Sequence, residues 1–410
     1  MIDAEAKTIQ PEAPYYVKAL AMGIPAILLG LQLSGWIFIL PAIVNGHSDF
    51  RHLYAAAYMV RTGNRQSLYD YAEQIKFQNS LVGPEQIALP FNHLAYEALL
   101  FVPFSFLPYR AAYTSFLITN LLLLALSYRL LRPQMERIAR VYRWLPGALF
   151  ISFIPVAAAL MQGQDSIILL ALAAGATKIL ANKREAAAGI LVGLGMFKFP
   201  IVVPVGVLFF VWRRWRFSVG FVGAAAAAVL ASLMLVGIPD SLLYVRSLLS
   251  MSISSTSPDQ IRFGIHPVEM ANLRGLVAGT FGPLLSRFWV QFITFSLSAA
   301  VLLWVAVRGA KAELGTYAIG LAITAATLLS YHLYIHDMSV LLIPILLMFD
   351  RFIDAEADGD SRGRTAARLS AAMFAAPAFM SVSPLHFYLV SLLLITFLYF
   401  FAQSGVSDIP

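Results

Sequence analysis

The chain has 410 residues, 59% of them hydrophobic and only 12% charged, against about 25% charged in a typical soluble domain. That balance, with a mean hydropathy of +0.74, excludes a soluble globular fold and predicts an all-α polytopic membrane protein. The formal charge of +7 sits in short clusters between apolar runs, a pattern of membrane topology and not of nucleic-acid binding, and the lack of cysteine excludes disulfides and thiol chemistry.

From the N-terminus, which is polar through Pro14 and carries no expected cleavable signal, the first apolar run covers about 18–44. Further runs near 111–131, 145–162, 165–181, 186–199, 200–212, 217–237, 287–307, 314–331, 338–350, 370–382 and 385–402 bring the expected total to about twelve membrane helices in one domain over 1–410. The segment 94–108, interrupted by Pro103 and Pro108, reads as re-entrant or interfacial. Arg132, Arg137, Arg140 and Arg143 crowd one short loop; Lys183 with Arg184, then Arg213, Arg214 and Arg216, then Arg308 with Lys311 mark three more. All fall on one side if the N-terminus is cytoplasmic, which places two long polar stretches, about 45–93 and 238–286, on the outer side.

In the first of these stretches Asn45 and Gly46 break the leading span, and Ser48 or Asp49 can cap a new helix. Phe50, Tyr54, Ala57, Tyr58 and Arg61 then recur at helical spacing up to Gly63, predicting an amphipathic helix lying at the membrane surface. Asp49 therefore stands at the lip of the outer face. A carboxylate there can act as a general base on a hydroxyl held within reach, although Asp at such a position is more often only a cap.

Farther along, Gln164 and Asp165 break two apolar runs and either line a site or form the turn. Lys198 and Pro200 lie between two arms that total 27 residues, too few for two crossings of about 20 each, so a hairpin with Lys198 at its tip is expected. A lysine there holds a lipid phosphate or else snorkels to an interface; the two readings weigh about evenly. Arg246, Arg262, His266, Glu269 and Arg274 populate the second outer stretch, and guanidinium forks suit phosphate oxygens. His332 and His336, spaced i, i+4 on an expected helix face beside Asp337, suit a phosphate or sugar hydroxyl. As a zinc motif the pair is weak, lacking the glutamate and a third ligand.

The pattern Asp49-Phe50, Tyr54, Gly63, Leu68-Tyr69-Asp70 resembles the first outer loop of glycosyltransferase family 87. Further matching stretches are Pro90 to Pro108, Gly163-Gln164-Asp165, Lys198-Phe199-Pro200, Asn272-Leu273-Arg274-Gly275 and the run from Tyr331 to Asp337, together covering about 45–350. The resemblance implies a GT-C-like bundle and a polyprenyl-phosphate sugar, mannose or another hexose, as donor. It implies a glycolipid, glycan or protein as acceptor, and inversion at the anomeric carbon. Asp49 maps onto the family's catalytic base. Lys198, Arg262, Arg274, His332, His336, Gln164 and Asp165 are the expected substrate- or phosphate-binding residues. With no Asp-x-Asp pair and no nucleotide-binding glycine loop, no metal and no cofactor is expected. The expected location is a bacterial inner membrane with the site facing outward. The rival is a secondary transporter or a lipid or polysaccharide flippase, which would use Lys198 and broken helices at the midplane. No second half matching 1–200 supports it.

Overall fold

The computed structural model describes residues 15–84, 89–253, 266–310, 315–355 and 360–404, and every regular element among them is helical. In chain order these are α1 (Tyr15–Val44), α2 (Phe50–Arg61), α3 (Tyr71–Leu81), α4 (Tyr96–Phe101), α5 (Tyr109–Leu131) and α6 (Glu136–Val141). Next come α7 (Leu145–Ser152), α8 (Ile154–Gln162), α9 (Ser166–Ala181), α10 (Glu185–Leu194), α11 (Phe199–Val211) and α12 (Trp215–Ile253). The last are α13 (Leu273–Phe281), α14 (Arg287–Gly309), α15 (Thr316–Leu329), α16 (Leu342–Phe352), α17 (Ser361–Ala375), α18 (Phe379–Val382) and α19 (Val390–Ser404).

Among the described residues, six segments are long and apolar enough to cross a membrane: Ala21–Val44, Tyr109–Gln134, Trp215–Leu249, Arg287–Gly309, Ser361–Val382 and Pro384–Ser404. Two sharply bent pairs, α7 with α8 and α10 with α11, raise the figure to eight if each pair is one span, while α9 and α15 are apolar but shorter. Length alone therefore carries fewer crossings than the twelve expected. The difference lies in the two bent pairs, broken at Phe153–Pro155 and Gly195, and in α9, α15 and α16, which run for only 16, 14 and 11 residues.

The α10–α11 pair is bent by 64° between Leu194 and Met196. Beside α12, Gly189 abuts Phe217 and Gly193 abuts Phe221 and Ala224, so α10 runs parallel to α12. Phe209 stacks on Phe217 and Gly206 abuts the Phe221 ring, so α11 meets the same turns of α12. Lys198 stands just after the break, where the sequence predicts a hairpin tip, but the chain turns there by 64° and does not reverse. Contact between α10 and α12 is close because Gly189, Gly193 and Gly220 present no side chain at the crossing.

The helix expected over 50–61 forms, but it does not lie on a surface. Phe50, Arg51, His52, Leu53, Tyr54, Ala55, Ala56, Ala57 and Met59 are all buried, so protein covers nearly its whole circumference. Phe50, Phe101, Tyr109, Tyr113 and Phe116 form an aromatic cluster that pins its first turn against α4 and α5. The alanine run Ala55–Ala57 lets those neighbours close in on the sides where an amphipathic helix would carry polar groups.

Candidate active site

Two aspartates open helices in the first third of the chain, and they behave differently. Asp70 caps α3 in the ordinary way, its carboxylate accepting from the Ala72 and Glu73 amides. Asp49 precedes α2 with helical φ and ψ, and its side chain makes no capping hydrogen bond. It accepts instead from Gln164 Nε2, at 2.6 Å on Oδ2, and it is half-buried.

Gln164 reaches Asp49 because of the turn it stands in. Gly163 ends α8 in the left-handed region at φ 61°, which only glycine adopts easily, and a Cβ there would lie 2.7 Å from Cβ of Phe50. Tyr113 donates its hydroxyl to the Met161 carbonyl at 2.9 Å, steadying the same turn. Asp165 then starts α9 and, like Asp49, leaves its helix uncapped. Its carboxylate points to Lys198.

Lys198 is 9% exposed and is the hub of the site. Its Nζ lies 2.9 Å from Asp165 Oδ1 and 2.9 Å from Asp337 Oδ1, and donates to Gln164 Oε1 at 3.2 Å. An ammonium has three hydrogens, and these three partners account for them. Asp337 also accepts from Ser166 Oγ at 3.1 Å and from the Tyr334 amide at 3.1 Å. His336 Nε2 stands 3.5 Å from Asp337 Oδ1, and its Nδ1 is 2.8 Å from Gln162 Oε1. A continuous polar chain therefore runs from Asp49 through Gln164 and Lys198 to Asp165, Asp337 and His336. The bend is held by Tyr96, which donates to the Leu194 carbonyl at 3.1 Å and accepts from the Phe197 amide at 2.8 Å.

Of the residues the sequence nominates, Asp49, Gln164, Asp165, Lys198 and His336 come together here. Arg274 lies along the segment that leads to His336: it donates to the Tyr331 carbonyl at 2.9 Å and stacks over the Tyr331 ring at 4.0 Å. Asn272 caps α13 and ties it to the Ser330 carbonyl, fixing that segment. His332 does not share a helix face with His336. The span ends at Leu329, residues 330–334 are irregular, and His332 is exposed, its ring edge-on to Tyr334. Arg262 lies outside the described residues.

Sequence reasoning names Asp337 only as a neighbour of the histidines and does not nominate Gln162, Ser166, His93 or Glu97. His93, half-buried, and Glu97, buried, lie beside Asp165, at the seam between the polar stretch read as ending near 93 and the segment 94–108 taken as apolar. The signal was there: a histidine and a glutamate one helical turn apart in an otherwise apolar segment. Burial lowers the His93 imidazole to about 4 and, together with the neighbouring His93, holds His52 well below its ordinary range, so both rings are neutral.

The site thus offers one half-exposed carboxylate, oriented by an amide and backed by a buried ion-pair network. That arrangement fits proton abstraction from a hydroxyl at the edge of an apolar bundle. No curated protein and no solved structure matches the chain. The family model for glycosyltransferase family 87 matches residues 96–331, a stretch that includes Gln164, Asp165, Lys198 and Arg274 and excludes Asp49 and His336. Covering more than half of the chain, that match and the membrane-type helices around the site establish that the protein belongs to glycosyltransferase family 87, a membrane family of the GT-C type.

Proposed function

We propose that the protein transfers a hexose, with mannose the first candidate, from a polyprenyl phosphate to an acceptor hydroxyl at the outer face of a bacterial inner membrane. Asp49 is the general base. It takes the proton of the acceptor hydroxyl while that oxygen bonds to the anomeric carbon. The bond from that carbon to the phosphate oxygen breaks, and the lipid phosphate leaves with the electron pair. A single displacement of this kind inverts the anomeric carbon.

The observation that carries the reading is the side chain of Asp49, which leaves its own helix uncapped and is held by Gln164 instead. A carboxylate with one oxygen fixed by an amide presents the other to a substrate in a defined direction. In this reading Lys198 is a positioning residue. Its hydrogens are directed at Asp165, Asp337 and Gln164, so contact with the departing phosphate falls to Arg274, His336 and Arg262.

The test is transfer by purified protein from synthetic polyprenyl-phosphate-mannose to a panel of lipid and glycan acceptors, with Asp49→Asn in parallel. The expected loss in kcat is about a thousandfold, within the range for removing a general base. An Asn variant as active as the parent would return Asp49 to a structural role.

A further inference from the structure

Beside Lys198, around its partner Asp165, three side chains from two distant segments converge. His93 Nδ1, a carboxylate oxygen of Glu97 and a carboxylate oxygen of Asp165 all lie within 4.8 Å of one another, with His93 Nδ1 and Glu97 Oε2 only 2.6 Å apart. Glu97 and Asp165 are both 0% exposed. Outside the trio itself, neither oxygen of Glu97 has a hydrogen-bond partner among the described residues, a costly state for a buried carboxylate unless something else lies against it. A second orphan stands next to the trio. His52 is 5% exposed, both of its ring nitrogens lack partners among the described residues, and its ring stacks on that of His93 at 5.5 Å.

Charge points the same way. The buried carboxyl groups of Glu97, Asp165 and Asp337 face the buried ammonium of Lys198. With all three ionised, as metal ligation by Glu97 requires, two negative charges are left over, and one dication cancels both. One imidazole nitrogen with two carboxylate oxygens is a donor set suited to Zn²⁺ or Mn²⁺, whereas Mg²⁺ and Ca²⁺ prefer oxygen throughout. Bonds of about 2.1 Å keep ligand atoms within about 4 Å of each other, close to the spacing found here.

We propose that His93, Glu97 and Asp165 bind a divalent transition-metal ion of the Mn²⁺ or Zn²⁺ class. The ion joins the segment leading into α4 to the start of α9. Asp165 then bridges two cations, with one oxygen toward Lys198 and the other toward the metal. Because Asp165 is held, Lys198 and through it Gln164 are held as well, so the ion acts on the site through Asp165 without touching substrate. The proposal is independent of which sugar is transferred, or whether any is.

Full-length protein in detergent, stripped with a chelator, is dialysed against MnCl₂ or ZnCl₂ and analysed for bound metal and for thermal unfolding. We expect about one equivalent of one of these ions per chain and a Tm raised by several degrees, as for an ion that binds only the folded state. In Glu97→Gln the affinity falls at least about tenfold and the rise in Tm disappears. Should Glu97→Gln fail to fold, His93→Gln removes a different ligand and reads the same two quantities. Failure of the parent to retain either ion, or retention of a full equivalent by the folded variants, overturns the proposal. In the first case a Glu97→Gln variant as stable as the parent identifies a shared proton between Glu97 and Asp165 as what compensates the cluster.

Discussion

Gln164 is the side chain through which Asp49 and Lys198 are linked, its amide nitrogen on one and its oxygen on the other. Replacing it with leucine leaves Asp49 in contact with water and leaves the ion pairs of Lys198 in place. We expect Gln164→Leu to lower kcat about ten- to a hundredfold, the worth of a hydrogen bond to a charged group, with KM little changed and Tm near that of the parent. Lys198→Met does the opposite. It strands Asp165 and Asp337 without a counter-charge, and the expected cost is about 3–5 kcal/mol of stability, seen as a large fall in Tm in detergent. Adding Asp337→Asn to Lys198→Met recovers part of that loss, because one of the stranded charges is removed. These residues stand out in the bare sequence because polar groups amid apolar runs are rare and expensive. What each one does was not legible. Lys198 invites a phosphate only until its three partners, 33, 34 and 139 positions away, are seen around it.

Packing of α10 on α12 depends on glycine to an extent that a scan for apolar runs does not show. A Cβ at Gly189 would collide with the Phe217 carbonyl, and one at Gly220 with that of Ala186, both backbone atoms that cannot move aside. Gly223, on the same helix as Gly220, has nothing within 4 Å of such an atom. Gly189→Leu should therefore prevent α10 from seating, giving low yield or aggregation by size-exclusion chromatography, while Gly223→Leu behaves like the parent. The break near Lys198 was legible, since the apolar arms on either side of it are too short to cross separately; its angle of 64° was not. The setting of α2 was not. Helical spacing of Phe50, Tyr54 and Tyr58 marks one apolar face, but whether the opposite face meets water depends on α3, α4 and α5, and no local pattern encodes that. The segment after α15 fails for a similar reason. An i, i+4 argument for His332 and His336 needs the helix to continue past Leu329, and it stops there.

Across the whole molecule the site draws on four regions of the chain: the α1–α2 turn, the α8–α9 turn, the α10–α11 bend and the segment after α15. The family match runs from residue 96 to residue 331, so the most exposed carboxylate of the network and the histidine at its other end both lie beyond its bounds. Contact through space joins them to it, by way of Gln164 and Asp337. A membrane protein is threaded into lipid in the order in which it is made, and this order sets a problem for the buried charges. Lys198 emerges well before Asp337, by 139 residues, which at 5–20 residues per second is a delay on the order of ten seconds. Through that interval Asp165, already in place two helices earlier, is the counter-ion on hand. Its pairing with Lys198 lets the bent pair be accepted by the bilayer before the last third of the protein exists, and Asp337 then arrives to a lysine that is waiting in position.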